Sequence, residues 1–307
     1  MLENDFGCSK NSNITVSVLL TTCTDDEFTC EDGFCINMME RCNKIINCPM
    51  DSSDEDSCFM INFDRTYKKE FAPATTDELK NIIRTKVIVS IDLLTILKID
   101  EVDSTFSCQL KLHLLWYDQR LTYNNLKHDS NYNSLSGDER NRIWTPNIIF
   151  FNTEKMDGLK SDERAHASLL VRGNYTLASD DKLHNAFLYE GSENPISLNR
   201  AYKVDFICNF DMMWYPFDIQ HCFMNICMEG NGDIFVELLP GDIIYDGPID
   251  LSQYFIRNKD ISKDGDIVAV RFSLGRRLLS TFLTTYVPTL LLNIIALSTN
   301  YFKVRFA

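Results

Sequence analysis

Eleven cysteines, five histidines and 44 carboxylates give this 307-residue chain three possible chemistries: covalent bridging, metal binding and charge pairing. Two cysteines, Cys208 and Cys222, enclose thirteen residues in the stretch CNFDMMWYPFDIQHC. A bridge closing so short a loop removes about 3 kcal/mol of unfolded-chain entropy. Inside it, Tyr215, Pro216 and Phe217 place an apolar tip on the solvent side, with the charge of Asp218 beside it. An aromatic–proline bond adopts cis readily, which predicts a tight, rigid turn suited to docking. Six more cysteines, Cys23, Cys30, Cys35, Cys42, Cys48 and Cys58, fall within 36 residues. A unit that small needs disulfides or a metal to fold. Its acidic run, Asp51, Ser53, Asp54 and Glu55, suits a hard cation such as Ca²⁺. Three cysteines remain, Cys8, Cys108 and Cys227. A Cys108–Cys227 bridge and a pair of buried thiols are both open. The histidines are scattered, and no Ser/His/Asp set, glycine-rich phosphate loop or paired-carboxylate site stands out, so no enzyme is expected.

So many cysteines without a zinc or redox motif point to an oxidising compartment. Sequons at Asn13 and Asn174 agree, as sites for glycosylation. A net charge of −14 argues against nucleic acid as a partner. The first ten residues, MLENDFGCSK, carry no signal peptide, and the expectation is a chain incomplete at its N-terminus. From Leu278 to Phe302 there are 25 residues without a formal charge, enough to cross a bilayer with some tilt. Arg276 and Arg277 precede the span, and Lys303 and Arg305 follow it, so flanking charge gives no orientation. The disulfide-rich part does: it faces outward.

The elements that must position these residues are strands. Val87, Val89 and Ile91 alternate with polar or small neighbours, and Phe106, Cys108, Leu110, Leu112, Leu114 and Trp116 keep a period of two. Short strand-like runs follow at 148–151, 167–171, 186–189, 202–207, 222–226, 234–239 and 267–272. The predicted fold is mainly β, an antiparallel β-sandwich behind a small disulfide-rich module and ahead of one transmembrane α-helix. The predicted boundaries are an extension over 1–22, the module over 23–58, a polar connector over 59–81, the sandwich over 82–277 and the span over 278–302.

Cys208, Asp211, Met212, Tyr215, Pro216, Phe217, Asp218, Gln220 and Cys222 resemble the signature C-x-x-D-L-x-x-F-P-F-D-x-Q-x-C of the Cys-loop (pentameric ligand-gated) ion channels. WYDQRL (116–121) resembles that family's W-x-D-x-R-L. IWTPNIIF (143–150) resembles its W-x-P-D, with Asn147 replacing Asp. Pro288 lies where the family's first transmembrane helix has a proline. The likeness runs from about Val87 to the end of the chain. It implies a subunit of a pentamer in the plasma membrane, extracellular at its N-terminal side, with a small extracellular ligand bound between subunits. It also implies coupling to the pore through Asp100 and Glu101, through Pro216, Phe217 and Asp218, and through Arg276 or Arg277. The pocket positions are Phe151, Glu229, Lys111 and His113, with 263–266 as the capping turn. They lack the family's usual aromatics, so an amine held by cation–π attraction is not expected.

The segment 23–58, with Phe28, Cys35-Ile36 and the closing DSSDEDSC, resembles a low-density-lipoprotein-receptor class A module. That resemblance implies the pairings Cys23–Cys35, Cys30–Cys48 and Cys42–Cys58. Asn43 and Asn47 stand where the family has two carboxylate ligands, so Ca²⁺ binding through Asp54, Glu55 and backbone carbonyls near Glu40 and Ile45 is expected to be weak or absent. Two other readings compete with a channel subunit: a non-conducting tethered or secreted ligand-binding protein, and a receptor that binds through the class A module. Three further apolar spans downstream would favour the channel.

Overall fold

Alternation written into the sequence becomes burial. Phe106, Cys108, Leu110, Leu112, Leu114 and Trp116 are all buried on one face of a single twelve-residue strand, Thr105–Trp116. The computed structural model describes residues 21–24, 26–56, 58–76, 78–153, 165–177, 186–230 and 232–301. Cys8 and the Asn13 sequon lie outside the described residues, as does nearly all of the 1–22 extension.

In chain order, β1 (Glu27–Thr29) and β2 (Cys35–Asn37) form a hairpin in the cysteine-rich module. Next come β3 (Ile61–Phe63), β4 (Thr75–Thr76) and β5 (Ile82–Ile83). The long strands β6 (Thr85–Asp100) and β7 (Thr105–Trp116) precede the short β8 (Leu121–Asn124). One helical turn and a half, α1 (Gly137–Arg142), starts at a Ser136/Glu139 capping box and leads to β9 (Ile148–Phe150). Then follow β10 (His166–Leu169), β11 (Tyr175–Leu177), β12 (Phe187–Glu190) and β13 (Ile196–Ile207). The last four are β14 (Ile219–Met228), β15 (Val236–Tyr245), β16 (Tyr254–Asp264) and β17 (Ile267–Arg276).

Three sheets build the domain, with orders β10-β13-β7-β6-β15, β16-β17-β14-β9 and β11-β12-β8-β3. All pairings are antiparallel except β15 with β6, which run parallel. Aromatic side chains weld the first two sheets together. Phe106 of β7 stacks on Phe206 of β13 at 5.3 Å, and both meet rings from the facing sheet, Phe272 of β17 and Phe150 of β9. These contacts lie within a larger buried core that includes Val89, Leu112, Trp116, Met224 and Val270.

Two expectations need correction. The stretch 59–81 is not a free connector, because β3 pairs with β8 and extends the third sheet. Tyr67, from the same stretch, donates its hydroxyl to buried Asp118 at 3.3 Å and accepts the Trp144 N–H at 2.8 Å. Asp118 also takes a bidentate pair from Arg120 (2.8 and 2.7 Å), whose remaining nitrogen donates to the Phe71 carbonyl. The W-x-D-x-R-L run is thus a clamp that fixes 67–71 to the sandwich. The second correction is β16, an eleven-residue strand that the alternation did not disclose. It hairpins onto β17 through Gly265, whose φ of +62° suits a two-residue turn between paired Asp264 and Ile267.

After β17 a single residue, Arg277, separates the sheet from a helix that begins at Leu278. Leu278–Thr299 is long and apolar enough to cross a membrane and is almost wholly exposed in the isolated chain. The helix widens over Phe282–Tyr286, where the Val287 N–H reaches back five residues to the Phe282 carbonyl. Pro288 follows at once, its missing N–H accommodated just after the wide turn.

Candidate functional site

Arg276, the last residue of β17, collects the acids predicted to lie near the membrane face. Its inward direction follows from register. Val268, Val270, Phe272 and Leu274 are buried on one face of β17, and Arg276 is the next position in that series. The guanidinium forks onto Asp218, Nε to Oδ1 at 2.6 Å and Nη2 to Oδ2 at 2.9 Å. Nη1 donates to Glu101 Oε1 at 2.7 Å, and Nη2 also reaches the Tyr254 hydroxyl at 2.6 Å. That hydroxyl donates in turn to Glu101 at 2.5 Å. The rings of Tyr215 and Tyr254 both lie 4.7 Å from the guanidinium carbon, close enough for cation–π attraction.

Four elements meet here: the β6–β7 turn (Glu101), the Cys208–Cys222 loop (Asp218, Tyr215), β16 (Tyr254) and β17. The side chains of Arg276 and Asp218 are 4% and 2% exposed, whereas that of Glu101 is 27% exposed. Burial pulls the Asp218 carboxyl upward, but hydrogen bonds from Arg276 and Gln220 outweigh it and hold the group below the usual carboxylate range. Burial likewise works against the Arg276 charge, and the bonds to Asp218 and Glu101 reverse that and strengthen it. Burial and the bond to Glu101 push the Tyr254 hydroxyl up. The cluster sets one guanidinium against two carboxyl groups and a tyrosine hydroxyl.

The disulfide Cys208–Cys222 closes the loop, with the Cα atoms 5.1 Å apart and the Tyr215–Pro216 bond cis. Gln220 braces it from within, exchanging hydrogen bonds with the Asp211 backbone at 2.8 and 2.7 Å and donating to Asp218 at 2.5 Å. Asp218 does not share the exposed tip, contrary to expectation. The carboxylate turns inward to Arg276 and Pro216 is buried, while Met213, Trp214, Tyr215 and Phe217 are exposed. Nor do Arg277 and Asp100 join the cluster. Arg277 donates to the Leu251 carbonyl at 3.0 Å, and Asp100 pairs with Lys98 and caps its own turn. Sequence reasoning missed Tyr254, which sits on the undetected strand β16; the KDGD turn at 263–266 was the signal available for that strand.

The four pocket positions divide between two sheets. Phe151 and Glu229 flank the β9–β14 pairing, and Phe151 is exposed. Glu229 accepts from the side-chain amide of Asn147, and its N–H donates to the Asn147 carbonyl at 2.9 Å. That carboxylate is therefore already engaged. Lys111 and His113 lie on β7 in the other sheet, Lys111 exposed and His113 held between Asn199 (2.6 Å) and Asp92 (2.8 Å). Cys108 and Cys227 are not bridged to each other, and burial pushes the Cys108 thiol well up. Asn174 is exposed.

In the module the disulfides are Cys23–Cys35, Cys30–Cys48 and Cys42–Cys58. The residues that would hold a cation are instead satisfied by protein. Buried Asp54 accepts the Asn47 and Cys48 N–H groups (2.7 and 3.1 Å), and Glu55 Oε1 accepts those of Asn43 and Lys44 (2.7 and 2.8 Å). Asn43 donates its side-chain amide to Asn47 at 3.1 Å and accepts the Ile45 N–H at 2.8 Å. The side-chain oxygens offered to a hard cation here are thus two carboxylates and two amides bonded to each other. The module docks on the sandwich through Lys127, whose ammonium donates to the Met39 and Arg41 carbonyls at 2.6 and 2.8 Å. Burial lowers Lys127 to about 8.

Residues 58–265 match the profile of the neurotransmitter-gated ion-channel ligand binding domain. The acetylcholine receptor subunit alpha-type acr-5 of Caenorhabditis elegans is 24% identical over 138 residues, 45% of this chain and 21% of that protein. The human gamma-aminobutyric acid receptor subunit rho-2 is 23% identical over 207 residues, 63% of this chain and 40% of that protein. The human low-density lipoprotein receptor-related protein 11 is 37% identical over 68 residues, 19% of this chain and 13% of that protein. The chain thus spans less than half the length of the receptor subunits it matches. With the family profile covering more than half of its residues, and with the disulfide loop and buried Arg276 cluster placed where the sandwich meets the apolar helix, this chain belongs to the neurotransmitter-gated ion-channel ligand-binding domain family.

Proposed function

We propose that this chain is the extracellular ligand-binding region and first membrane helix of a pentameric ligand-gated channel subunit, and that the Arg276 cluster couples ligand binding to pore opening. The subunit resides in the plasma membrane with its sandwich outside. Its partners are neighbouring subunits and a small extracellular ligand, and it performs no catalysis. One observation carries the coupling role: the cation that ties three separate elements of the sandwich stands two residues before the helix begins. Any motion of the Cys208–Cys222 loop or the β6–β7 turn pulls on it. Because Glu229 is already bonded to Asn147 and Phe151 lies open, the ligand site is completed by a second subunit.

The test is electrophysiology on a full-length subunit. Arg276→Gln is expected to abolish or cut agonist-evoked current at least tenfold while surface assembly, read by antibody labelling, persists. Arg277→Gln is expected to change the current less than threefold. Equal effects of the two substitutions would remove the coupling role from Arg276.

The class A module, on this reading, holds its shape through disulfides and internal hydrogen bonds, with Ca²⁺ weak or dispensable. Calorimetric titration of the oxidised chain is expected to show no tight Ca²⁺ uptake; a submicromolar site would overturn this.

A further inference from the structure

A second charged site opens at the surface of the sandwich, on residues distinct from those of the Arg276 cluster. Between the clamped segment at 69–70, α1 and β13 is a cavity of about 290 Å³ whose lining includes Lys69, Arg140, Arg200 and Thr145, with Glu70 as its one acid. Its floor is apolar, formed by Ile143 and Leu198. Three cations in one small cavity are unusual in a chain whose net charge is −14.

Arg200 is the telling residue. Leu198, Val204 and Phe206 are buried on one face of β13, and Arg200 belongs to that same inward series. Its Nε is cut off from solvent with no acceptor, and no carboxylate pairs with it among the described residues. Arg200 is half-buried as a residue, and a guanidinium N–H that is shut off from solvent without an acceptor is uncommon, because burying such a donor is unfavourable unless something accepts from it. Arg140 spends one N–H on the Ala165 carbonyl, and Lys69 donates to the Asn141 carbonyl at 3.0 Å. Their remaining N–H donors are uncommitted among the described residues. A planar fork matches a two-oxygen acceptor better than a spherical ion.

We propose that this cavity is a binding site for a small oxyanion, a carboxylate or phosphate group held by Arg200 with Arg140 and Lys69. The volume admits a molecule of a few carbons and excludes a macromolecule. Glu70 at the rim leaves room for a ligand that also carries a cation. The site is contained within one subunit and does not depend on the channel reading, since its test involves no gating.

The experiment is a thermal-shift and calorimetric titration of the purified full chain in detergent micelles, with succinate and with inorganic phosphate in separate arms. Both are run at constant ionic strength against chloride. At least one arm is expected to give saturable stabilisation, and comparison of the arms identifies the preferred oxyanion. Arg200→Met, which removes an unpartnered donor and keeps the apolar stem, is expected to lose affinity at least tenfold with an unchanged far-UV spectrum. Lys69→Gln, at the exposed mouth, is expected to lose several-fold and serves if Arg200→Met does not accumulate. No saturable shift in either arm, or unchanged affinity in the variants, would overturn the site.

Discussion

Withdrawing a guanidinium and a carboxylate from water costs several kcal/mol per ion, and Arg276 and Asp218 recover it only through near-complete hydrogen bonding. Removing either partner leaves an unpaired buried charge, a loss of about 3–5 kcal/mol. The same pair makes stability depend on pH in a definite direction. Asp218 is held below its ordinary range in the folded chain, so on acidification the unfolded chain takes up that proton first. Its contribution is therefore present above the ordinary carboxylate pKa, about 4, and is lost as pH falls through the lower folded value. Asp218→Asn is expected to flatten the acid limb of the stability profile, measured by denaturant unfolding between pH 2 and 6. An unchanged acid limb would show that the pair does not stabilise the fold. The chemistry of this pair was legible in the sequence, but the choice between two adjacent arginines was not. The reading stopped the last strand at Phe272; carried four residues further, the same period of two points Arg276 inward and Arg277 out.

Among the elements, the Cys208–Cys222 loop was legible because its determinants are local: two cysteines, a proline and fixed spacing. Breaking it with Cys208→Ala and Cys222→Ala together is expected to destabilise the chain by about 3 kcal/mol, read from the shift in denaturant midpoint. A larger loss would mean that Asp218 leaves Arg276 when the loop opens. β16 escaped notice for a physical reason. It is an edge strand whose long pairing is with β17, with a short bridge from Asp250 to Phe255 at its start, and Arg257, Asn258, Lys259 and Asp260 make its middle polar. A register shift between Ile256 and Asn258 breaks what alternation remains. The short β3 was hidden differently, since three residues are too few to show a period. Only its pairing with β8, some sixty residues later, defines it.

For the whole molecule, the order of the parts could be read from composition, but their attachment could not. Cysteine density marks the module, alternation the sandwich and a charge-free run the span. The polar contact between module and sandwich that stands out is a lysine from a distant segment, Lys127, donating to two backbone carbonyls, beside apolar packing that joins Met38 to the sandwich core. Backbone acceptors leave no trace in sequence. Lys127→Met is expected to leave both folds intact while speeding amide exchange at 39–42 by tenfold or more, measured by hydrogen–deuterium exchange. Protection equal to that of the wild type would mean the module is held elsewhere. The pocket positions on two different sheets belong to this scale too, because no local pattern discloses that residues so far apart in the sequence fall on different sheets.

The single residue between β17 and the helix has a mechanical meaning. A flexible loop at that joint would act as a soft spring, absorbing small displacements before they reached the bilayer. Here the Arg277 N–H is tied to the Gln253 carbonyl and its side chain to the Leu251 carbonyl, so even the one intervening residue is held on both sides. The joint contains no residue without a hydrogen bond to the sandwich. On the coupling role proposed above, a displacement at the guanidinium meets no loop that could absorb it before the head of the helix.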